Sequence, residues 1–408
     1  MTPCSGSQSA PSDLHAPSVS QDAPAPCQAE WPPATYLEDC ITKPISGARR
    51  VLIIGFGKSG KRLLGAFQYL AASGWPVTVV GICDSNPDIR SAVDPSLPFF
   101  DTAYQALRGT LADVVCVCVN EVAHHEILRL TKQHRENVEL VISEKPLTRS
   151  IEEFHEIEKI YDSTPITVNF VERHSPVVRD FRAWLTSEHT QVHRVEFHWG
   201  KYRFRDARPT MGILSEISHP LDLVRFLIGQ PADVPFNLVR ATQLDSNFTC
   251  LPSVVPDTTY ITYTLGGVLV NGFSSFLWPD RHREITIWSS SRAGAVTYQA
   301  VMWFDDKLWD QDRLAIYRLH PVTGEREQVF RSEYSNEDFP AELFQINKVA
   351  QFVADSLSVL EDQPSNIVAR TADAHWVQHA LDSIEESDTR VMPPLMFART
   401  HHKETVSE

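Results

Sequence analysis

The sequence predicts an α/β protein with two sheets. An N-terminal, doubly wound parallel sheet is followed by an α+β domain with a large, mainly antiparallel, open-faced sheet. Three observations predict it: a glycine-rich turn after an apolar run near residue 50, alternation of strand and helix patterns up to residue 166, and strand patterns that recur after residue 190. Alternation is typical of parallel sheets, whereas successive strand patterns are typical of antiparallel ones. The later patterns predict a hairpin at 258–276 that turns on Gly266-Gly267, a strand at 284–289 and a helix around 341–360.

The first strand pattern leads directly into the glycine-rich turn. The buried run Val51–Ile54 precedes GFGKSG, and a helical pattern spans Lys61–Leu70. This order is typical of the Rossmann dinucleotide-binding fold, in which the glycines permit a tight turn, close approach of the backbone to a pyrophosphate, and close packing of helix on strand. Backbone N–H groups at the start of the helix would hold the phosphates. We therefore predict cofactor contacts from Gly55, Phe56, Gly57, Lys58, Ser59 and Gly60.

A second buried strand pattern, Val77–Cys83, is followed by Asp84 and Ser85. A carboxylate at the end of this strand accepts hydrogen bonds from the adenosine ribose and repels a 2′-phosphate. Asp84 lies 29 residues after Gly55, and no cation follows it until Arg90. The pattern favours NAD over NADP, with NADP possible. The alternative, that Asp84 only caps the turn before Asn86-Pro87, stays open.

Later strands of the first sheet end in polar residues. The patterns predict a short strand at Phe99-Phe100, long apolar strands at Asp113–Val119 and Val138–Ser143, and helices at Thr102–Leu107 and Ala123–Gln133. Ligands of doubly wound sheets bind at the carboxyl ends of the strands. The residues expected at these ends are Asn120, Glu121, Glu144 and Lys145.

Four segments of this region resemble the Gfo/Idh/MocA oxidoreductase family: GFGKSGKR, CDSNP, VCVCVNEVAHHE and SEKPLTRSIEEF. Members of that family are nicotinamide enzymes that act mostly on sugars, inositols and related polyols. The resemblance continues through TVNFVERHSPVVRDF (167–181) and MGILSEISHPLDLVRFLIG (211–229), so it covers residues 49 to about 390.

The resemblance implies roles for individual residues. Lys145 would contact nicotinamide and substrate, and His219 would be the catalytic acid/base, which suits a group that titrates near neutrality. Alternatively, His219 is a core histidine or a helix cap, and Asp222 pairs with Arg225. The resemblance further implies cofactor contacts from Asn120, His124 and Glu144, and substrate contacts from Asp222 and Arg173.

Two positions depart from the family pattern. The family commonly has an aspartate four residues before the histidine, where this chain has Ser215 with Glu216 beside it. The usual Pro-Asn after the third long strand is Asn120-Glu121. Three readings stay open: Glu216 takes over as a substrate-binding residue, the reaction differs from simple carbinol oxidation, or catalysis has been lost.

A cluster of cations precedes the His219 segment. Lys201, Arg203, Arg205 and Arg208 fall within eight residues and alternate at first with Tyr202 and Phe204, as in a strand with one polar face. We expect Arg203 and Arg205 to bind an anionic substrate, such as a carboxylate or a phosphorylated or nucleotide-linked sugar. A solvated strand edge is the alternative.

These observations predict an NAD(P)-dependent oxidoreductase. It would transfer a hydride between nicotinamide and a carbinol or ketone carbon of a sugar-like or cyclic polyol substrate. Two alternatives are a biosynthetic imine or ketone reductase and a non-catalytic, dinucleotide-sensing regulator of the same fold.

Composition limits the partners and the compartment. With 37 Lys+Arg against 52 Asp+Glu, the net charge of −15 argues against nucleic-acid and membrane surfaces. No apolar run is long enough for a membrane span. The seven scattered cysteines predict neither disulfides nor a metal site, and a cytoplasmic location is the simplest.

We expect four regions along the chain. They are a disordered Pro/Ser/Ala-rich leader at 1–47, the Rossmann domain at 48–166, a substrate-binding and oligomerisation domain at 167–390, and a tail at 391–408. The resemblance implies a homo-oligomer formed through the open sheet face.

Overall fold

The computed structural model describes residues 45–391 except 204–209, 246–254, 293, 295, 362–364 and 388. This part of the chain contains a seven-stranded and a nine-stranded sheet, which confirms the predicted fold class. The leader and tail predicted at 1–47 and 391–408 lie almost wholly outside the described residues.

The first sheet is parallel except at one edge. Its strand order is β15-β6-β5-β4-β1-β2-β3, and only β15 runs antiparallel to its neighbour β6. The order reverses between β1 and β4, which is where doubly wound sheets bind ligands. The strands are β1 (Arg49–Ile54), β2 (Val77–Cys83), β3 (Phe99–Phe100), β4 (Val114–Val117), β5 (Leu140–Ser143), β6 (Ile166–Val168) and β15 (Ala369–Arg370).

Helices cover both faces of this sheet. They are α1 (Lys58–Ala72), α2 (Ala103–Gly109), α3 (His124–His134) and α4 (Ile151–Ile160). Successive residues of a strand point to opposite faces. Accordingly, Val51 and Ile53 pack in one apolar cluster with Phe67, while Leu52 and Ile54 pack in another with Leu128. Burial on both faces explains the continuous apolar runs of these strands.

Helix α1 begins earlier than its apolar pattern predicts. It starts at Lys58 instead of Lys61, with Gly57 as its N-cap. The last part of the glycine-rich segment is therefore the first helical turn. Its backbone N–H groups face the end of β1, as phosphate binding at a helix N-terminus requires.

The second sheet is mainly antiparallel, with strand order β14-β13-β12-β11-β7-β10-β9-β8-β16. Only the β7–β10 and β8–β16 pairs are parallel. The strands are β7 (Thr190–Tyr202), β8 (Phe236–Leu244), β9 (Thr258–Leu265), β10 (Val268–Ser275), β11 (Leu277–Ser291), β12 (Thr297–Trp303), β13 (Asp312–Leu319), β14 (Arg326–Tyr334) and β16 (Arg390–Val391).

The predicted hairpin at 258–276 is present. Gly266 and Gly267 connect β9 to β10, with φ of +56° and +84°. Two positive φ values in a two-residue turn match the twist of a tight hairpin, and glycine adopts them without steric cost. Strand β11 is longer than the predicted 284–289, because its polar first half pairs with β7 across a register shift.

The remaining helices connect the two sheets. They are α5 (Pro176–Ser187), α6 (Leu214–Leu227), α7 (Asn347–Ser358) and α8 (Thr371–Glu385). Every residue of α6 is buried, including its polar and charged ones. Helix α7 packs on α1 in the core of the first sheet, and β15 pairs with β6. The predicted boundary at 166/167 falls within β6, and the C-terminal region contributes elements to both sheets.

Candidate active site

A cavity of about 1010 Å³ opens at the carboxyl ends of β1, β2, β4 and β5. Its volume is at the upper end of the range for small-molecule sites. The first domain contributes the glycine-rich turn and three strand ends, and the second domain closes the far wall. Residues in the walls include Gly55, Gly57, Lys58, Ser59, Asp84, Ser85, Asn120, Glu121, His124, Glu144, Lys145, Lys201, Arg203 and Ser215.

The three glycines of the turn meet different surroundings. Gly55 has φ +93°, and a Cβ there would lie 2.5 Å from the Cys118 carbonyl carbon. A Cβ at Gly60 would lie 2.1 Å from the Gly55 carbonyl oxygen, whereas one at Gly57 would meet nothing within 4 Å. Gly55 and Gly60 thus serve internal packing, and the space beside Gly57 is available to a ligand. This cradle, beside a helix start without a side-chain cap, fits a dinucleotide pyrophosphate.

Asp84 caps the turn that follows β2 and also lies in the cavity wall. Its Oδ1 accepts a hydrogen bond from Asn86 N at 2.9 Å, which caps the turn, and its Oδ2 accepts one from Phe56 N at 2.6 Å. The carboxylate also lines the cavity. The next cation, Arg90, forms a 3.1 Å ion pair with Asp101. A carboxylate in this wall suits ribose hydroxyls better than a 2′-phosphate.

The residues after β5 connect the two domains across the cavity. Lys145 Nζ donates a 2.5 Å hydrogen bond to the Ser215 carbonyl of α6. Glu144 Oε1 accepts hydrogen bonds from Ser59 Oγ and, at 2.7 Å, from Asn169 Nδ2. Thus the glycine-rich turn, the end of β5 and α6 are joined by direct hydrogen bonds.

The buried His124 ring contacts backbone carbonyl groups beside the cavity. Its ring is 1% exposed, with Nδ1 2.7 Å from the Pro146 carbonyl and Nε2 3.2 Å from the Val119 carbonyl. Burial lowers its pKa. The ring thereby joins the ends of β4 and β5. Asn120 and His124 both line the cavity.

His219 lies on α6, one turn beyond Ser215 and on the same face of the helix. Ser215 lines the cavity, and His219 is buried behind it, stacked against Trp199 with ring centroids 6.1 Å apart. Its Nδ1 has no hydrogen-bond partner among the described residues. Burial and the nearby Lys145 hold the pKa of His219 well below its ordinary value, so the imidazole is neutral at pH 7.

Glu216 is held by two cations and is not free to replace the missing aspartate. Lys201 Nζ donates to its Oε2, and Arg283 Nη2 donates to its Oε1 at 3.1 Å. The residue is 1% exposed. Burial alone would raise the pKa of this carboxyl group, but Lys201 and Arg283 hold it well below its ordinary value. Lys201, rather than Glu216, lines the cavity.

Asp222 and Arg173 lie away from the cavity, contrary to the substrate contacts expected of them. Arg173 Nε donates to Asp222 Oδ2 at 2.7 Å, and Arg173 Nη2 donates to Oδ1. Both residues are buried, and Asp373 and Arg225 extend the network. Because the Asp222 carboxylate is already paired and inaccessible, we leave both residues out of the proposed substrate site.

Arg203 lines the cavity, with its guanidinium carbon 4.9 Å from the centre of the Phe276 ring. Arg205 lies outside the described residues, as does Arg208. Glu121, expected at a strand end where ligands bind, lines the cavity and accepts hydrogen bonds from Thr210 Oγ1 at 2.6 Å and Met211 N at 3.2 Å. Sequence reasoning missed Arg283, since nothing in its local pattern indicates a contact 67 residues away.

The described residues show neither a cluster suited to a metal ion nor a membrane-spanning helix. No group of three or more His, Cys, Asp or Glu side chains there is arranged to hold a metal ion. None of the described helices is long and apolar enough to cross a membrane.

Known proteins share this architecture. The GFO_IDH_MocA model, an oxidoreductase family with an NAD-binding Rossmann fold, matches residues 49–170. No curated protein sequence matches the chain.

Three solved structures show the fold over most of the chain, each at 16% identity. Levoglucosan dehydrogenase, in complex with NADH and L-sorbose, has a TM-score of 0.67 and covers 83% of this chain and 96% of its own. KijD10, a 3-ketoreductase from Actinomadura kijaniata in complex with TDP-benzene and NADP, has a TM-score of 0.65, with 85% and 100% covered. The transcriptional regulator Gal80p from Kluyveromyces lactis has a TM-score of 0.64, with 84% and 90% covered.

Proposed function

Because residues 49–170 belong to the Gfo/Idh/MocA family of NAD-binding Rossmann-fold oxidoreductases, we propose that the chain is an NAD(P)-dependent dehydrogenase or reductase. Its substrate is a sugar-like or cyclic polyol compound, oxidised at a carbinol or reduced at a ketone carbon. The observation that carries this proposal is the meeting of Lys145 and the His219 helix at the cavity that the glycine-rich turn opens.

Different residues of the cavity bind the cofactor and assist the reaction. Backbone N–H groups of the first turn of α1 bind the pyrophosphate, and Asp84 binds the ribose, with NAD preferred. A bound nicotinamide supplies or accepts the hydride. Lys145 places a positive charge at the end of β5, where an oxyanion develops on the substrate.

His219 is suited to accept a proton. At neutral pH its imidazole is uncharged, and Nδ1 has no partner among the described residues. In the oxidation direction the ring takes up the hydroxyl proton as the hydride leaves the neighbouring carbon. The depressed pKa makes the ring a poor proton donor at pH 7.

The cations in the cavity wall favour a substrate that carries an anionic group. Lys145, Lys201 and Arg203 all line the cavity in a protein whose net charge is −15. A carboxylate or phosphate accepts charge-assisted hydrogen bonds from such groups. This supports sugar acids, sugar phosphates or nucleotide-linked sugars as the substrate class.

The first experiment separates binding from turnover. NADH fluorescence measures cofactor binding, and a panel of sugars, sugar acids, inositols and keto acids measures activity. We expect His219→Ala to retain NADH affinity and to lower kcat by roughly 10²–10⁴, the loss typical of removing a general acid/base. His155→Ala, a change on the exposed side of α4, is the matched control and leaves both unchanged. Lost NADH binding in His219→Ala would contradict the assignment.

A second candidate function is a dinucleotide-binding regulator without catalysis. Two observations favour it: Lys145 meets a backbone carbonyl at Ser215 where the family has an aspartate, and Glu216 is held by two cations. One of the solved structures with this fold is a transcriptional regulator. NADH binding without turnover of any compound in the panel would favour this candidate.

We also propose a cytoplasmic location and a homo-oligomer. The described cysteines, Cys83, Cys116 and Cys118, are free and buried, which suits a reducing compartment. The outer face of the second sheet carries aromatic side chains suited to contact with a second copy.

A further inference from the structure

Lys201 lies in the cavity wall, and the family pattern gives this residue no role. It is the penultimate residue of β7, and it lines the same cavity as Lys145 and Ser215. Its side chain is 28% exposed, so part of it is accessible from the cavity. Its Nζ lies over the Phe276 ring, 5.4 Å from the ring centre.

Glu216, the carboxylate that pairs with Lys201, is held in place by a second cation. Glu216 Oε2 accepts from Lys201, and its Oε1 is bound by Arg283. Arg283 itself is 5% exposed and donates to Glu172 Oε1 at 2.5 Å and to Asp305 Oδ2 at 2.7 Å. With three buried carboxylates around one guanidinium, Glu216 has little freedom to move.

We propose that Lys201 is a second catalytic residue, which donates a proton to the substrate oxygen when the neighbouring carbon is reduced, and that Glu216 positions it. This inference rests on the proposed function. It differs from the reading in which Glu216 replaces the missing aspartate as a base, because the carboxylate acts here only through the lysine.

The step balances. The substrate carbonyl carbon gains a hydride from the reduced dinucleotide, and the carbonyl oxygen gains a proton from Lys201. The C=O π bond and one N–H bond of Lys201 break, while a C–H and an O–H bond form. The substrate is reduced, the dinucleotide is oxidised, and the neutral amine regains its proton from solvent.

The charges around Lys201 suit this exchange. Burial is the main cause that lowers its pKa to about 8, with contributions from Lys145 and Arg283, while Glu216 acts in the opposite direction. His219 also lies close enough for its own pKa to be lowered by Lys201. At pH 7 Lys201 therefore carries a proton that it can release, whereas His219 does not. A catalytic acid works best with a pKa near the working pH.

The pH profile of ketone reduction tests the inference on the full chain. Reduction needs the protonated amine, so the wild-type rate falls as pH rises through about 8. Lys201→Met removes this basic limb and lowers kcat by roughly 10²–10⁴ with NADH affinity retained. Lys201→Arg keeps its positive charge throughout this pH range, so its reduction rate also does not fall as the pH rises through about 8. Glu216→Gln moves the limb to lower pH, since the neutral amide no longer stabilises the ammonium. Lys159→Met, on the exposed side of α4, is the control and keeps the wild-type profile.

A second readout does not depend on turnover. Competitive acetylation over a pH series, quantified by peptide mass spectrometry, measures the pKa of Lys201 and Lys159 in one sample. Lys201 is expected to titrate with a pKa of about 8, and lower still in Glu216→Gln. Titration of Lys201 at the ordinary value of a lysine would overturn the inference. A basic limb that survives in Lys201→Met would overturn this step alone, whereas NADH binding without any turnover would overturn the proposed function and the step with it.

Discussion

At the scale of single residues, ion pairing decides which acids can meet a substrate. Asp222 lies three residues after His219 on a helical face, which is how a substrate ligand would be spaced. Its carboxylate is nevertheless 0% exposed and bound by Arg173, a partner 49 residues earlier in the chain. The position of Asp222 could be read from the sequence, but its partner could not, because the pairing depends on how two distant segments pack.

Asp222 therefore contributes to stability. We expect Asp222→Ala to lower the free energy of unfolding by about 3–5 kcal/mol, because the buried Arg173 charge loses its counter-ion. Urea unfolding measures this loss, and NADH affinity should stay unchanged in the native protein. Glu327→Ala breaks the exposed Arg318–Glu327 pair as the control and costs about 0–1 kcal/mol. A stable Asp222→Ala protein with a raised KM would instead restore the substrate-binding interpretation.

At the scale of elements, buried parallel strands were the easiest to predict. Leu52, Ile53 and Ile54 are 0–1% exposed, and strands covered on both faces are continuous apolar runs. The first half of β11 was missed, because one of its faces is open and its residues are polar. The start of α7 at Asn347, rather than near Ala341, also depends on tertiary contacts: Asp310 Oδ2 accepts from Asn347 N at 2.9 Å.

Two substitutions in the glycine-rich turn are expected to have different effects on stability and on NADH binding. Gly60→Ala would bring a Cβ to 2.1 Å from the Gly55 carbonyl oxygen, so the turn must shift and we expect a lower melting temperature. Gly57→Ala meets open space, so the protein should melt like the wild type. Its methyl group would occupy the approach to the pyrophosphate, and NADH affinity should fall by at least about 1.4 kcal/mol, a factor of ten.

Thermal melts and NADH fluorescence titrations measure the two effects separately. Unchanged NADH affinity in Gly57→Ala would show that the dinucleotide does not bind over this turn.

At the scale of the whole molecule, charge and exposed aromatics are unevenly placed. The chain has a net charge of −15, but three cations, Lys145, Lys201 and Arg203, line the cavity. The sequence predicted these cations as a group, but their convergence with Lys145 depends on how the second sheet closes the cavity of the first. An acidic surface with a cationic cavity keeps polyanions from binding nonspecifically while favouring a small anion inside.

The outer face of the second sheet carries a continuous aromatic cluster. Tyr260 stacks on Phe273 with centroids 5.0 Å apart, and Phe273 contacts Trp278 at 5.4 Å. Trp278 in turn stacks on His282 at 5.4 Å. Tyr260 is 51% exposed. Exposed aromatic clusters on soluble proteins are typical of interaction sites, and a flat sheet face can pair with the same face of a second copy.

We expect the chain to self-associate through this cluster. Sedimentation velocity at micromolar concentration should show a dimer or larger species for the wild type. Phe273→Asp should shift it to the monomer, because a charge within a desolvated aromatic contact is costly. Val322→Asp, in the exposed turn between β13 and β14, is the control and should leave the assembly intact. NADH binding should survive in both variants, since the glycine-rich turn lies at the other sheet. A monomeric wild type would rule out this interface, as would a Phe273→Asp variant that sediments like the wild type.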